Sequence, residues 1–322
     1  MAVPDNTIAQ REKRWAAGSS VLGAVTLTLL KVVVGVTTGS LGILAEAAHS
    51  ALDLVAALVT LFAVRASDKP ADDEHLYGHG KIENISALFE TLLLLLTCGW
   101  IGYEAMHRLI GEQVHVDASI WAFGVMGISI LVDISRSRVL YRAARKYNSQ
   151  ALEADALHFS TDIWSSSVVI LGLLGVRLGD MYPQHGTWLS RADSVAALGV
   201  AFIVIYVSLR LGKRTLQALL DTAPAGLPER IRDAVDGVPG ASGCHNVRVR
   251  PSGPGLFVDI HVYVDGSTTL ASAHDLTEAI EKRIAEVVPG ADVTVHPEPK
   301  PPGEGDQTEL LPGAPRPLRD GE

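Results

Sequence analysis

Cysteine is scarce in this sequence: Cys98 and Cys244 are the only two among 322 residues. Two thiols so far apart form neither a disulfide framework nor a zinc site of several thiolates, so we expect both to be small buried hydrophobic residues. The chain also lacks an HExxH motif, the helical signature of many zinc hydrolases. No early apolar run is followed by a small-residue cleavage site, so a cleaved signal peptide is not expected.

An excess of positive charge is also lacking. The chain has 27 Lys and Arg against 36 Asp and Glu, a formal net charge of -9 at pH 7. This balance argues against nucleic acid as a partner, because binding to phosphates requires clustered basic residues. The acidic residues lie largely in loops and in the last third of the chain, so an affinity for cations is the interpretation that remains.

Apolar residues are abundant, at 48% of the chain, and they fall into six runs long enough to cross a bilayer. We predict an all-α six-helix transmembrane domain over 18–221, preceded by a cytoplasmic segment over 1–17. Lys and Arg flank the runs mainly on the side of the termini, which predicts that both termini are cytoplasmic. The protein is therefore expected to be integral to the lipid bilayer, in a bacterial inner membrane. The predicted spans are 18–38, 41–65, 84–108, 118–140, 153–177 and 191–211.

The pattern changes to that of a water-soluble domain over 222–298. In LFVDIHVYV, apolar and polar residues alternate from Val258 to Val264, which is typical of a half-buried strand. Helical patterns surround this strand in the order αββαβ, so we predict a small cytoplasmic α+β domain. The last segment, 299–322, is rich in Pro, Gly and acidic residues, which predicts a disordered tail.

Two HxxxD pairs lie inside the apolar spans: His49 with Asp53, and His158 with Asp162. Residues four apart share one face of a helix, so each pair forms an edge with two potential ligands. Ionisable groups within a membrane are costly and usually mark a pathway or a site. Two such edges would supply two nitrogens and two oxygens, which suits tetrahedral Zn²⁺ and, less well, Fe²⁺, Mn²⁺, Co²⁺ or Cd²⁺. Hydrogen-bonded polar pairs without a metal are the alternative.

The loop after the second span, SDKPADDEHLYGHGKIENI, concentrates acidic residues and two histidines. Asp72, His75 and His79 have the residue types and the spacing to hold a divalent ion, with the GHGK turn bringing them together. An ordinary solvated loop is the alternative. Lys31 and Glu46 also lie within spans, where mutual pairing or snorkelling explains them as well as a role in transport does.

Taken together, HxxxD in span two, ADDxHxxGHGKxE in the next loop, HxxxD in span five and a downstream αββαβ domain resemble the cation diffusion facilitator family. The resemblance covers nearly the whole chain except the tail. It implies a six-helix metal transporter with a ferredoxin-like, metallochaperone-like cytoplasmic domain, working as a homodimer that exchanges divalent metal for protons. His49, Asp53, His158 and Asp162 would form the transport site, with a second site at Asp72, His75 and His79.

The resemblance also implies a binuclear metal site in the cytoplasmic domain, where similar proteins commonly have Asp at the position of Glu298. Ordinary exposed residues are the alternative for the histidines. Lys81 and Asp221 would form a charge interlock between protomers at the membrane surface, or be unremarkable interfacial charges. The residues of the binuclear site would be His245, His261, His274, His296 and Glu298.

The sequence therefore predicts a Zn²⁺/H⁺ antiporter that exports zinc, with zinc also as a structural or regulatory ion. An exporter of Fe²⁺, Mn²⁺, Co²⁺ or Cd²⁺ and a membrane-embedded metal sensor without transport are the alternatives. An intramembrane metallohydrolase would need a base beside the metal. Both spans already use their carboxylate as a ligand, so we do not expect an enzyme.

Overall fold

Six long helices form the first part of the chain in a computed structural model that describes residues 6–110, 120–181 and 186–301. They are separated by short connections, and each extends beyond the predicted apolar span because polar residues continue the helical hydrogen bonding at its ends. The helices are α1 (Asn6–Thr38), α2 (Leu41–Ser67), α3 (Lys81–Ile110), α4 (Ile120–Tyr147), α5 (Gln150–Met181) and α6 (Gly186–Leu219).

Three candidate membrane spans meet the criteria of length and apolar composition among the residues that the structure describes. They are Thr7–Thr38, Glu46–Ser67 and Lys81–His107, which lie in α1, α2 and α3. The remaining three long helices carry more polar residues or include positions outside the described side chains. Nearly all of the predicted tail lies outside the described residues.

The basic residues in the second half of α4 are not all exposed. Arg136 is buried in α4, where its guanidinium lies 3.5 Å from the ring centroid of Phe159 on α5. It also donates hydrogen bonds of 3.2 Å to Asp133 and to Ser20. α4 continues to Tyr147, and the helical period turns this basic residue toward the neighbouring helices.

Small residues dominate the packing between the long helices. The most extensive contacts join α3 to α6, α1 to α2 and α4 to α5. One buried cluster from α1, α2, α4 and α5 contains five alanines beside four larger residues, and small side chains let helix backbones approach closely. Its members are Ala16, Ala17, Val64, Leu140, Ala144, Ala151, Leu152, Ala156 and Phe159.

A buried polar network joins four helices near the ends of α1, α2, α3 and α5. The carboxylate of Glu83, in the first turn of α3, accepts hydrogen bonds of 2.9 Å from Lys13 on α1 and Ser67 on α2. It also accepts a hydrogen bond from Ser149, which caps the start of α5. Lys13 additionally pairs with Asp68 at 2.9 Å. Every charge in this network has an opposite partner, which is what makes its burial tolerable.

The second part of the chain is a small α+β unit. Its elements are α7 (Leu227–Asp236), β1 (Ser242–Ser252), β2 (Gly255–Val264), α8 (Leu270–Val287) and β3 (Asp292–Pro299). The three strands form one sheet in the order β1-β2-β3. The predicted alternation in β2 is confirmed, because Val258, Ile260, Val262 and Val264 are all buried. Ile231, Val235, Ile280 and Ile284 of the two helices complete the core.

Two compact units therefore make up the chain. The first comprises the six long helices, up to Pro224, together with Val249–Phe257. The second comprises Ala225–Arg248 and the residues from Val258 onward. The predicted combination of a helical domain and a small α+β domain with a sheet agrees with this architecture.

Candidate metal centres

The two HxxxD pairs meet between α2 and α5. His158 Nε2 lies 3.1 Å from Asp53 Oδ1 and 3.7 Å from Asp162 Oδ2. His49 Nε2 lies 3.9 Å from Asp53 Oδ1 and 3.8 Å from Asp162 Oδ1. Four ligands placed 2.0 to 2.1 Å from a zinc ion in a tetrahedron lie about 3.4 Å from one another. The four His–Asp separations, 3.1 to 3.9 Å, are comparable with that distance. One donor atom from each of His49, Asp53 and Asp162 lies within 4.8 Å of the others, and His158 adjoins these three through its contacts with both carboxylates.

Burial makes this arrangement unusual for a set of ionisable groups. Asp53, His158 and Asp162 are buried, and His49 is partly exposed. His158 Nδ1 has no hydrogen-bond partner among the described residues. Buried polar groups normally have partners, so this nitrogen is an exception, while Nε2 of the same ring faces the two carboxylates. A bound dication would neutralise the two carboxylates and be coordinated by one nitrogen of each imidazole.

Sequence reasoning missed two further buried carboxylates of the helical domain. Glu90 on α3 and Asp155 on α5 are fully buried. Glu90 accepts a hydrogen bond from Thr60 of α2, and Asp155 accepts one of 3.2 Å from Ser20 of α1. Asp155 lies one turn before His158, a spacing that could have revealed it in the sequence.

The loop between α2 and α3 brings its three predicted ligands together. One donor atom from each of Asp72, His75 and His79 lies within 4.8 Å of the others. Gly78 has a φ of +73°, a conformation that favours glycine, and its N–H donates to the His75 carbonyl at 2.9 Å. The GHG turn thereby returns His79 to Asp72, at 3.4 Å. Backbone N–H donation from His75 and Glu74 lowers the pKa of Asp72, which keeps this carboxylate charged.

A third cluster spans the sheet. His245, His261 and Glu298 come from β1, β2 and β3 in turn, and one donor atom from each lies within 4.8 Å of the others. Glu298 lies 2.7 Å from His261 Nδ1 and 3.3 Å from His245 Nε2. The hydrogen bond from His261, aided by the charges of both histidines, lowers the pKa of Glu298. His261 alternates with the buried residues of β2, so the cluster lies on the polar face of the sheet.

The other two predicted ligands of the binuclear site differ in position. His296 Nε2 lies 3.6 Å from Glu298 Oε1, and its ring centroid lies 4.8 Å from that of His261, so it adjoins the cluster. His274 lies on α8, where its Nε2 is 3.7 Å from Glu278 of the same helix. The sheet therefore gathers four of the five residues, and a ligand role for His274 stays a prediction.

Lys81 and Asp221 form an ion pair within one chain. Their Nζ and Oδ1 atoms are 2.7 Å apart, which ties the start of α3 to a position two residues after the end of α6. The pair is partly exposed, so its own contribution to stability is small. An interlock between protomers stays a prediction, and the pair within the chain places both residues where they could serve it.

We expect zinc to stabilise the full-length protein partly through the sheet cluster. A ligand at a hundred times its Kd stabilises the folded state by about 2.7 kcal/mol. In His261→Ala, the increase in melting temperature on adding zinc should be smaller than in the parent protein, because the central ligand is lost. His107→Ala, which changes an exposed histidine on α3, is the matched control. Equal increases in both variants would contradict a zinc site on the sheet.

Comparison with known proteins shows which family of proteins this chain matches. The cation efflux transmembrane domain matches residues 19–220, and the cytoplasmic domain of cation efflux proteins matches residues 224–300. Cation-efflux pumps named FieF from Salmonella schwarzengrund and Salmonella newport are 34% identical over 299 residues, covering 92% of this chain and 96% of theirs. A solved zinc form of CzrB is 32% identical and covers 24% of this chain and 90% of its own, with a TM-score of 0.22, too low to support a statement about fold.

Both domains of the chain thus match the two parts of one family of transporters, and full-length relatives match across both. This confirms the resemblance drawn from the HxxxD pairs and the GHGK loop. The chain belongs to the cation efflux family, the cation diffusion facilitators, and is a membrane transporter of that family.

Proposed function

We propose that this protein exports Zn²⁺ in exchange for protons by alternating access. The observation that carries the proposal is the meeting of two histidines and two aspartates from α2 and α5, in which each histidine lies 3.1 to 3.9 Å from both carboxylates. Two imidazoles and two carboxylates match the preference of zinc for mixed nitrogen and oxygen ligands in a tetrahedron. The zinc ion is the substrate, held between the helices during its passage.

The proton enters through the histidines. An imidazole must be neutral to bind a metal, so a proton and a zinc ion compete for the same nitrogen. Histidine titrates near pH 6.5 in model peptides, about where such a competition responds to a physiological gradient. Protons arriving from the outer side can therefore displace zinc from His49 and His158, while Asp53 and Asp162 supply the charge that offsets the ion.

The arrangement in the membrane belongs to the same proposal. All six long helices cross the bilayer of an inner membrane, both termini are cytoplasmic, and residues 222–298 form the cytoplasmic domain. Two chains form a homodimer, which the match to the family's cytoplasmic domain supports. Zinc on the sheet cluster and in the loop then acts as a structural or regulatory ion.

Counterflow in sealed vesicles tests this function directly. Purified protein in proteoliposomes, with a zinc dye and a pH dye inside, should move zinc and protons in opposite directions. A metal sensor without transport, or a hydrolase, would move neither ion. Zinc movement that ignores an imposed pH gradient would contradict antiport, and faster movement of Fe²⁺, Mn²⁺ or Co²⁺ would assign the exporter to another metal.

We expect His49 to set the selectivity for zinc over cadmium. An imidazole nitrogen has one fixed direction, whereas a carboxylate is charged and can bind through one or two oxygens. Cadmium is larger and accepts longer bonds, so His49→Asp should carry Cd²⁺ at a rate approaching its Zn²⁺ rate.

Both ions should be measured in the same proteoliposomes under one proton gradient. His107→Asp makes the same replacement at an exposed position of α3 and should leave the ratio of zinc to cadmium rates unchanged. An unchanged ratio in His49→Asp would mean that packing around Asp53 and His158 sets selectivity instead.

A further inference from the structure

Lys31 and Glu46 form an ion pair within the membrane-spanning helices that the four-ligand site does not use. Lys31 Nζ on α1 lies 3.2 Å from Glu46 Oε2 on α2, so the mutual pairing considered from the sequence is confirmed. The ammonium also donates to Ser50 Oγ at 2.8 Å. A buried pair is often no more stable than apolar residues of the same size, so stability alone is a weak reason for its presence.

The pair lies one turn from the transport site on the same face of α2. Glu46 precedes His49 by three residues and Asp53 by seven, which places the three on one side of the helix. The exposed fraction of the side chain increases along this face, from 11% for Asp53 to 39% for His49 and 44% for Glu46. The polar face thus opens toward the N-terminal end of α2.

The two acceptors of Lys31 allow its ammonium to change partners. Ser50 holds the ammonium more closely than Glu46 does, and the backbone of Ser50 is fixed by a 3.0 Å hydrogen bond from Thr28 on α1. If a dication approaches Glu46, the ammonium can keep its bond to Ser50 while the carboxylate turns to the metal. The ammonium of Lys31 beside the Glu46 carboxylate can thus be replaced by a dication.

We propose that Glu46 is a second binding position for the transported divalent cation, on the outer side of the four-ligand site and sharing His49 with it. Between transport cycles the ammonium of Lys31 pairs with the Glu46 carboxylate. Glutamate and histidine at this spacing offer one oxygen and one nitrogen, ligands that zinc accepts. The inference rests on the proposed transport site and orientation, and it assigns Glu46 to the release of the ion rather than to its first binding.

Paired measurements of binding and turnover test this role. Glu46→Gln should leave the zinc affinity of the purified protein within about twofold and lower the maximal rate in proteoliposomes about tenfold, a change of about 1.4 kcal/mol. Glu46→Asp, which keeps a carboxylate, should recover part of the rate. Glu12→Gln makes the same replacement at an exposed position of α1 and should transport at the parent rate.

The double variant Lys31→Met with Glu46→Gln separates this role from simple charge pairing. It removes both charges, so no buried charge is left unpaired and the protein should fold. A rate that stays low supports the proposal. A return to the parent rate would show that Glu46 only neutralises Lys31, and a zinc affinity in Glu46→Gln lowered more than tenfold would place Glu46 in the four-ligand site; either result overturns the proposal.

Asp162→Ala in the same experiments distinguishes a failure of the four-ligand transport site from a failure of the second position at Glu46. Transport by Asp162→Ala would refute the four-ligand site itself. If Asp162→Ala does not transport and Glu46→Gln transports at the parent rate, only the second position is refuted.

Discussion

Asp162→Ala should abolish zinc transport while the protein still folds. Asp162 lies 3.7 to 3.8 Å from the two histidines and is one of the two carboxylates that would offset the charge of the ion. Even partners that touch only the ligands of a metal change its affinity by about 10 to 100-fold, so the loss of a direct ligand should lower the rate by at least about a hundredfold. Uptake into inside-out vesicles under a proton gradient measures it.

A matched variant shows whether the loss is specific. Asp233→Ala removes an exposed aspartate from α7 and should transport like the parent protein. Size-exclusion chromatography of Asp162→Ala in detergent should show the same assembly as the parent. Uptake by a properly assembled Asp162→Ala at the parent rate would remove this residue from the site.

Glu83→Ala should destabilise the membrane domain strongly. Its carboxylate is fully buried and accepts from Lys13, Ser67 and Ser149. Its removal leaves a buried ammonium with Asp68 alone and the Ser149 hydroxyl without this acceptor, while Ser67 keeps the Val64 carbonyl. Breaking a buried pair by removing one partner typically costs about 3 to 5 kcal/mol. Thermal unfolding of the purified protein in lipid or detergent should show a markedly lower melting temperature.

The exposed pair between Glu12 and Lys146 provides the control for this variant. It joins α1 to α4 at 2.7 Å, and Glu12→Ala should leave the melting temperature nearly unchanged because exposed pairs contribute little. Glu83→Gln should fall between the two, since an amide keeps some of the hydrogen bonds. If Glu83→Ala unfolds at the same temperature as Glu12→Ala, the network is not a source of stability.

Local sequence patterns predicted the helices, the ligand pairs and the buried face of one strand. For most helix ends of α1 to α6, the end of the predicted apolar run lies within one or two turns of the observed end. The agreement arises because the length needed to cross hydrocarbon is a property of each run alone. The faces shared by His49 with Asp53, and by His158 with Asp162, follow from helical spacing. The buried side of β2 likewise followed from its alternation. Each of these depends only on residues close together in the chain.

Tertiary structure decided which of these faces meet. Helical spacing cannot show that α2 and α5 are neighbours, and only their packing sets the 3.1 Å separation of His158 from Asp53. The order β1-β2-β3 brings Glu298 to His245 and His261, whereas His274 remains on α8. Glu83 and Arg136 are charged residues buried near the ends of helices, and they are tolerated there because they have partners on other helices. Sequence spacing thus determined the ligand pairs, and packing between distant segments determined the sites.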